Sequence, residues 1–247
     1  MDIINDEDFV TITSNGNVNV FGYTSMDNKL PTEKQATSLP GTLWRKIRKL
    51  KDQDALIAIS DTKAVWLDTK TLKVIAEQPL DGDPTTIGFE DNIIHIFGKS
   101  NIHYISEKPG IIVKMPLSAV NMRITAYHYV KDYNYHVIGA ENGNIYIINN
   151  KGEIATTLTG HEGAITALGC TERFIVSTGY DRRLRYWDIS NGKSIIANFT
   201  VGFDKWPLTF TIDPKEVMIW IGNADGHVNR YCIDPNMSRL SPAISQR

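Results

Sequence analysis

The sequence predicts an all-β protein assembled from one repeated unit, and three observations carry that prediction. Short apolar runs broken by Asn-Gly, Asp-Gly and Lys-Gly recur along the whole 247-residue chain, and no long window shows a helical period. A turn residue is followed at a fixed offset by a bulky residue that closes the next run. The offset is six for Asn15 to Phe21, Asn142 to Ile148, Asp181 to Trp187 and Asp225 to Tyr231, and five for Asp61 to Trp66 and Ser100 to Ile105. The six closing positions lie about 40 residues apart, a period that signals stacked supersecondary units.

Each anchor follows an apolar run expected to be a central strand: 9–13, 55–59, 93–97, 136–139, 174–177 and 217–221. Asn-Gly and Asp-Gly suit the hairpin after it, because both central residues of a type I′ turn need positive φ. An earlier run precedes five of the six, at 43–49, 84–89, 124–130, 165–170 and 207–212. Outer strands are expected at 73–76, 111–115, 154–158 and 194–200. The first unit lacks a comparable inner strand, since Asp2, Ile3 and Ile4 are barely long enough to pair, and residues 237–244 supply little more than an outer strand for the last. No linker or low-complexity block divides the chain, so a single domain over 1–247 is expected.

The best-preserved unit, residues 159–190, reads TGHEGAITALGCTERFIVSTGYDRRLRYWDIS. Its Gly-His pair, its run ending in Ser177, its turn at Asp181 and its closing Trp187-Asp188 resemble one full unit of the WD-repeat family. That resemblance covers nearly the whole chain through weaker copies. It implies a β-propeller of about six four-stranded blades, with the ring open or completed by a partner to seven. It also implies that His161, Ser177, Asp181 and Trp187 form a buried network within one blade. Four polar groups in so tight a space are tolerable only when each satisfies another. The same residue types invite a catalytic-triad reading, but the resemblance buries the hydroxyl inside a blade, so these residues are read as specifying the fold. The other units have lost the pattern: Ile221 stands where Ser177 does, and Ile148 closes the unit of Asn142.

Composition narrows function by exclusion. A formal net charge of -2 gives no global reason to expect nucleic acid or an anionic membrane. The start MDIINDEDFV is acidic and lacks the basic and apolar segments of a signal peptide, and no apolar run is long enough to span a bilayer. Cys170 and Cys232 sit in apolar runs and read as core filler in a reducing compartment. The expected location is intracellular, cytoplasmic or nuclear. Gly98-Lys99-Ser100 lacks the setting of a phosphate loop. The six histidines never show zinc spacing with the cysteines, and His95 and His103 give a weak metal hint only. No catalytic residue, cofactor, metal or small-molecule substrate is expected.

Two basic segments remain. Arg45, Lys46, Arg48, Lys49 and Lys51 crowd into residues 44–51, with Trp44, Ile47 and Leu50 at intervals of three that suit a short helical turn better than a strand. They suit RNA, DNA or an acidic peptide, or simply a solvated edge. Arg182, Arg183 and Arg185 follow the Asp181 turn, with Arg183 and Arg185 on the strand face opposite Leu184 and Tyr186. The leading reading is a non-enzymatic scaffold subunit that binds other proteins within a complex. In WD-repeat proteins of vesicle coats and nuclear-pore scaffolds an open ring is completed by a partner's strand or blade. The alternative is an RNA-associated subunit of ribosome assembly or RNA processing that uses 45–51.

Overall fold

The computed structural model describes residues 2–5, 7–22, 32–41, 43–99, 102–116, 120–149, 151–170, 174–188, 197–213, 218–232 and 241–242. These form six four-stranded sheets, every neighbouring pair antiparallel and consecutive in sequence. The chain divides into two compact units, residues 1–121 and 122–247, with three sheets in each.

In the first unit the sheets are β1 (Asp2–Ile3), β2 (Asp8–Ile12), β3 (Asn17–Gly22) and β4 (Thr32–Ser38); β5 (Lys46–Lys49), β6 (Ala55–Ile59), β7 (Lys63–Asp68) and β8 (Val74–Pro79); and β9 (Thr86–Glu90), β10 (Ile93–Phe97), β11 (Ile102–Lys108) and β12 (Ile111–Pro116). In the second they are β13 (Ile124–Val130), β14 (Tyr135–Ala140), β15 (Ile145–Ile148) and β16 (Ile154–Leu158); β17 (Ile165–Cys170), β18 (Phe174–Gly179), β19 (Arg183–Asp188) and β20 (Ala197–Gly202); and β21 (Pro207–Asp213), β22 (Met218–Asn223), β23 (Val228–Cys232) and β24 (Ser241–Pro242). The one helix among the described residues is a single 3-10 turn, Lys131–Tyr133, and none is long and apolar enough to cross a membrane.

The sheets stack through their faces, which explains the composition of the central strands. All five residues of β6 are buried, because its two faces feed two different cores. Leu56 and Ala58 pack with Val10, Val18 and Ile47, whereas Ile57, Ile59 and Trp66 pack with Ile87, Ile94 and Ile96. In the second unit β18 and β19 divide in the same way. Ile175 and Trp187 join the core of β13 to β16, and Val176, Leu184 and Tyr186 join that of Ile219 and Ile221.

One sequence expectation is revised and one gap is filled. The helical turn suggested at 44–51 is a strand, β5, flanked by non-extended residues including Leu43 at φ 58. Its three-residue spacing does not mark one stripe: Trp44 and Ile47 enter one core, and Leu50 enters the other through the opposite face. The first unit also has an outer strand, β4, that its polar sequence TEKQATS conceals; its side chains alternate between exposed and half-buried along its second half. The inner strand β1 does pair, but over two residues only, Asp2 with Val10 and Ile3 with Phe9. Parts of the expected runs 194–200, 217–221 and 237–244, together with Ser100, lie outside the described residues.

Candidate functional site: a closed polar network in the fifth sheet

Two loops of the fifth sheet bring the polar residues together. His161 lies in the segment entering β17, Ser177 is on β18, Asp181 is in the β18–β19 turn and Trp187 is on β19. Ile175 faces Trp187 across the ladder and Ser177 faces Arg185, so the indole reaches back along its neighbour strand to the hydroxyl. His161 Nδ1 lies 2.9 Å from both Asp181 oxygens, and its Nε2 lies 2.8 Å from Ser177 Oγ. The Trp187 indole N–H donates to the same Ser177 oxygen at 2.8 Å.

These partners admit one consistent assignment of protons. A neutral imidazole donates Nδ1–H to Asp181 and accepts the Ser177 hydroxyl proton at Nε2. Ser177 in turn accepts from Trp187. Every N–H and O–H donor of the chain from Trp187 to Asp181 is then used. Burial, the largest influence, holds His161 below its ordinary pKa and outweighs the opposing effect of its hydrogen bond to Asp181. Asp181 accepts further from the backbone N–H groups of Glu162 and Arg183, both at 3.2 Å, and Arg185 Nη2 stands 3.8 Å away. Glycines make the space: a Cβ on Gly179 would stand 2.8 Å from His161 Nδ1 and 3.0 Å from Asp181 Oδ1. A nucleophile must reach a substrate, but Ser177 is 0% exposed and its oxygen is already engaged twice.

The second sheet carries the same closing residue without the network. Trp66 is fully buried, yet its indole N–H has no hydrogen-bond acceptor among the described residues. Ile57 faces it across the ladder.

The basic segment is less available than its sequence suggests. Arg45 is ion-paired with Asp83. Arg48 lies 5.6 Å over the Phe89 ring and 3.7 Å from Asp2. Lys49 donates through Nζ to the carbonyls of Leu50, at 2.7 Å, and Gln53. Lys51 is exposed in the following turn. Lys46 has no hydrogen-bond or ion-pair partner among the described residues; burial pushes its pKa down to about 8, with Arg48 adding to the effect. In the second segment Arg182 and Arg183 are exposed. Arg182 Nη1 bonds the Asp204 carbonyl at 3.5 Å, and the half-buried Arg185 lies against Gly160 beside Trp187. Leu184 and Tyr186 face the opposite core, as the alternation of the strand requires.

Of the two cysteines, Cys170 is a free thiol whose pKa burial pushes upward, and the Cys232 side chain lies outside the described residues. His95 is buried 3.1 Å from Glu90; it pairs with Ile105 rather than His103, whose side chain lies outside the described residues.

Comparison with solved structures decides the architecture. The β-propeller domain of Myceliophteria thermophila Cps50 (Swd1) superposes with a TM-score of 0.73 over 95% of this chain and 82% of that domain, at 13% identity. The fold is a β-propeller. The computationally designed Ika8 protein aligns with a TM-score of 0.68 over 96% of this chain and 83% of its own, at 15% identity. By sequence, the WD repeat-containing protein ATCSA-1 of Arabidopsis thaliana is 41% identical over 46 residues, 18% of this chain. That match spans only 10% of the length of the curated relative. No protein-family profile matches the chain. In the propeller, the His161–Ser177–Trp187 network belongs to the sheet that keeps the WD pattern best, and the other sheets hold together on apolar faces.

Proposed function

We propose that this propeller is a non-enzymatic scaffold subunit that holds other proteins within a multi-subunit complex. A single domain over 1–247, an open ring that a partner's strand or blade completes, and a cytoplasmic or nuclear location are parts of the same proposal. The observation that supports it best is the saturation of the fifth-sheet network. The groups a hydrolytic reading needs are spent on one another at a fully buried hydroxyl. The RNA-associated alternative loses support, since three of the five cations at 45–51 are held against acceptors of the chain itself.

Native affinity purification with quantitative mass spectrometry tests the proposal. It expects at least one protein at fixed stoichiometry with the chain, retained through nuclease treatment. Recovery of the chain alone, or of a partner set removed by nuclease, contradicts it.

A further inference from the structure

The last sheet, β21 to β24, has two faces of opposite character. Ile219 and Ile221 are fully buried on one, with Phe210, Ile212 and Tyr231 packed against them. On the other, Thr209 and Thr211 of β21, Trp220 and Gly222 of β22, and Val228 and Arg230 of β23 stand side by side in the ladder. None of these six is buried; Trp220 is 39% exposed and Val228 64%. The second and fifth sheets, by contrast, bury apolar residues on both faces. An antiparallel sheet can leave one face to water, but its outward residues are then polar. Here a tryptophan occupies the middle of the outward face on a central strand, a large apolar body that proteins keep for contacts.

We propose that this outer face is the docking surface for a β-sheet segment of a partner protein that places a carboxylate opposite Arg230. The proposal rests on the scaffold reading and adds its site and the partner's chemistry. Charge complementarity chooses the partner. The Arg230 guanidinium lies 5.4 Å over the Trp220 ring and has no carboxylate partner among the described residues. Covering Trp220 strips water from that guanidinium, which is costly unless a carboxylate replaces it, ideally in bidentate fashion. Shape chooses the partner's structure. Threonine, valine and glycine make a low face. Another sheet can lie on such a surface at the spacing usual for stacked sheets. A single cation is too little for a nucleic-acid strand, which needs a track of them.

The test places p-benzoylphenylalanine at position 220 of the full-length protein in its own cells, irradiates, and maps the cross-linked residues by mass spectrometry. The expected result is one cross-link into a strand of one protein, beside an Asp or Glu. Arg230→Glu should lower its yield at least tenfold, and exchanging that partner acid for Arg should restore it in the Arg230→Glu background. Position 220 and Arg230 are on the surface, so the thermal midpoint of the isolated chain serves as the folding control. A cross-link to nucleic acid, to a second copy of the chain or to a helix overturns the inference, as does a yield that Arg230→Glu leaves unchanged. If a stoichiometric partner co-purifies but never cross-links at 220, this surface is wrong and the scaffold reading stands. If no partner co-purifies at all, both fail.

Discussion

Trp187 donates its indole N–H to Ser177 Oγ across 2.8 Å, inside a sheet where both residues are almost wholly buried. That bond ties the closing strand β19 to its central neighbour β18. Trp66 closes the second sheet just as deeply buried but without an acceptor among the described residues. The same residue type at matching places is therefore a bonded strut in one sheet and a volume filler in the other.

This contrast gives a paired prediction. Ser177→Ala leaves both the Trp187 donor and the His161 acceptor unpaired, and is expected to cost about 2–5 kcal/mol of stability. Trp66→Phe removes an indole whose N–H has no acceptor among the described residues, so it loses packing volume alone and should cost less than Ser177→Ala. Urea unfolding of the two variants beside wild type measures the difference. A loss below about 0.5 kcal/mol for Ser177→Ala would show that the fifth-sheet network contributes nothing beyond packing.

A second prediction concerns acid. Burial holds His161 below its unfolded pKa, so the unfolded chain binds the proton first as pH falls. The stability that neutral His161 contributes is complete above about pH 6.5 and is lost progressively below it. Protonation would also put a second N–H where Ser177 now donates, breaking the chain of bonds. Thermal midpoints between pH 5 and 8 should decline on the acid side, and the decline should be shallower in His161→Gln. An identical pH profile in the variant contradicts the assignment of a neutral His161.

At the alkaline end Lys46 acts with the same sign. Its pKa, about 8 in the folded chain, lies below the unfolded value, so stability should rise as pH climbs from 8 towards 10.5. Lys46→Met removes a half-buried ammonium that has no acceptor among the described residues and should raise the thermal midpoint at pH 7 while flattening the alkaline rise. A lower midpoint for that variant would mean that the ammonium is matched by a group outside the described residues.

Gly179 is the third point of leverage on the network. The Cβ of Gly179→Ala would stand 2.8 Å from His161 Nδ1 and 3.0 Å from Asp181, forcing one of them away. The expected cost is about 1–3 kcal/mol, together with a change in the His161 ring resonances in NMR spectra. Unchanged resonances would place the histidine elsewhere.

The basic segment makes a negative prediction. With Arg45, Arg48 and Lys49 engaged internally, Lys46 and Lys51 remain. Two cations give a log–log salt slope of only about −1.4 on single strands. Fluorescence titration with RNA across a salt series measures it, and a much steeper slope that collapses on reversing Arg45, Lys46, Arg48 and Lys49 would revive the RNA-associated reading.

Much of this architecture was legible in the residues, and the limits have physical causes. Strands β6, β10, β13 and β17 have the bounds their apolar runs suggest, because central and inner strands bury side chains and so carry a hydrophobic signal. The strand β4 was silent, since an outer strand with exposed side chains needs no apolar residues. Trp44, Ile47 and Leu50 misled through their spacing: sequence cannot tell a stripe on one helix from positions shared between two sheet faces. The ion pair of Arg45 with Asp83 spans 38 residues and has no local signature. Trp220 lies in the run 217–221 expected as a central strand, and only the fold shows its side chain on the outward face.

The most direct test of the central claim is the solution state of the isolated chain beside that of its complex, by sedimentation velocity and a thermal scan. A scaffold with an uncovered sheet face should self-associate or melt early when alone, and become monodisperse with a clearly higher midpoint once its partner is bound. A chain that is monomeric, monodisperse and high-melting by itself, with no gain from any co-purifying protein, would contradict the account.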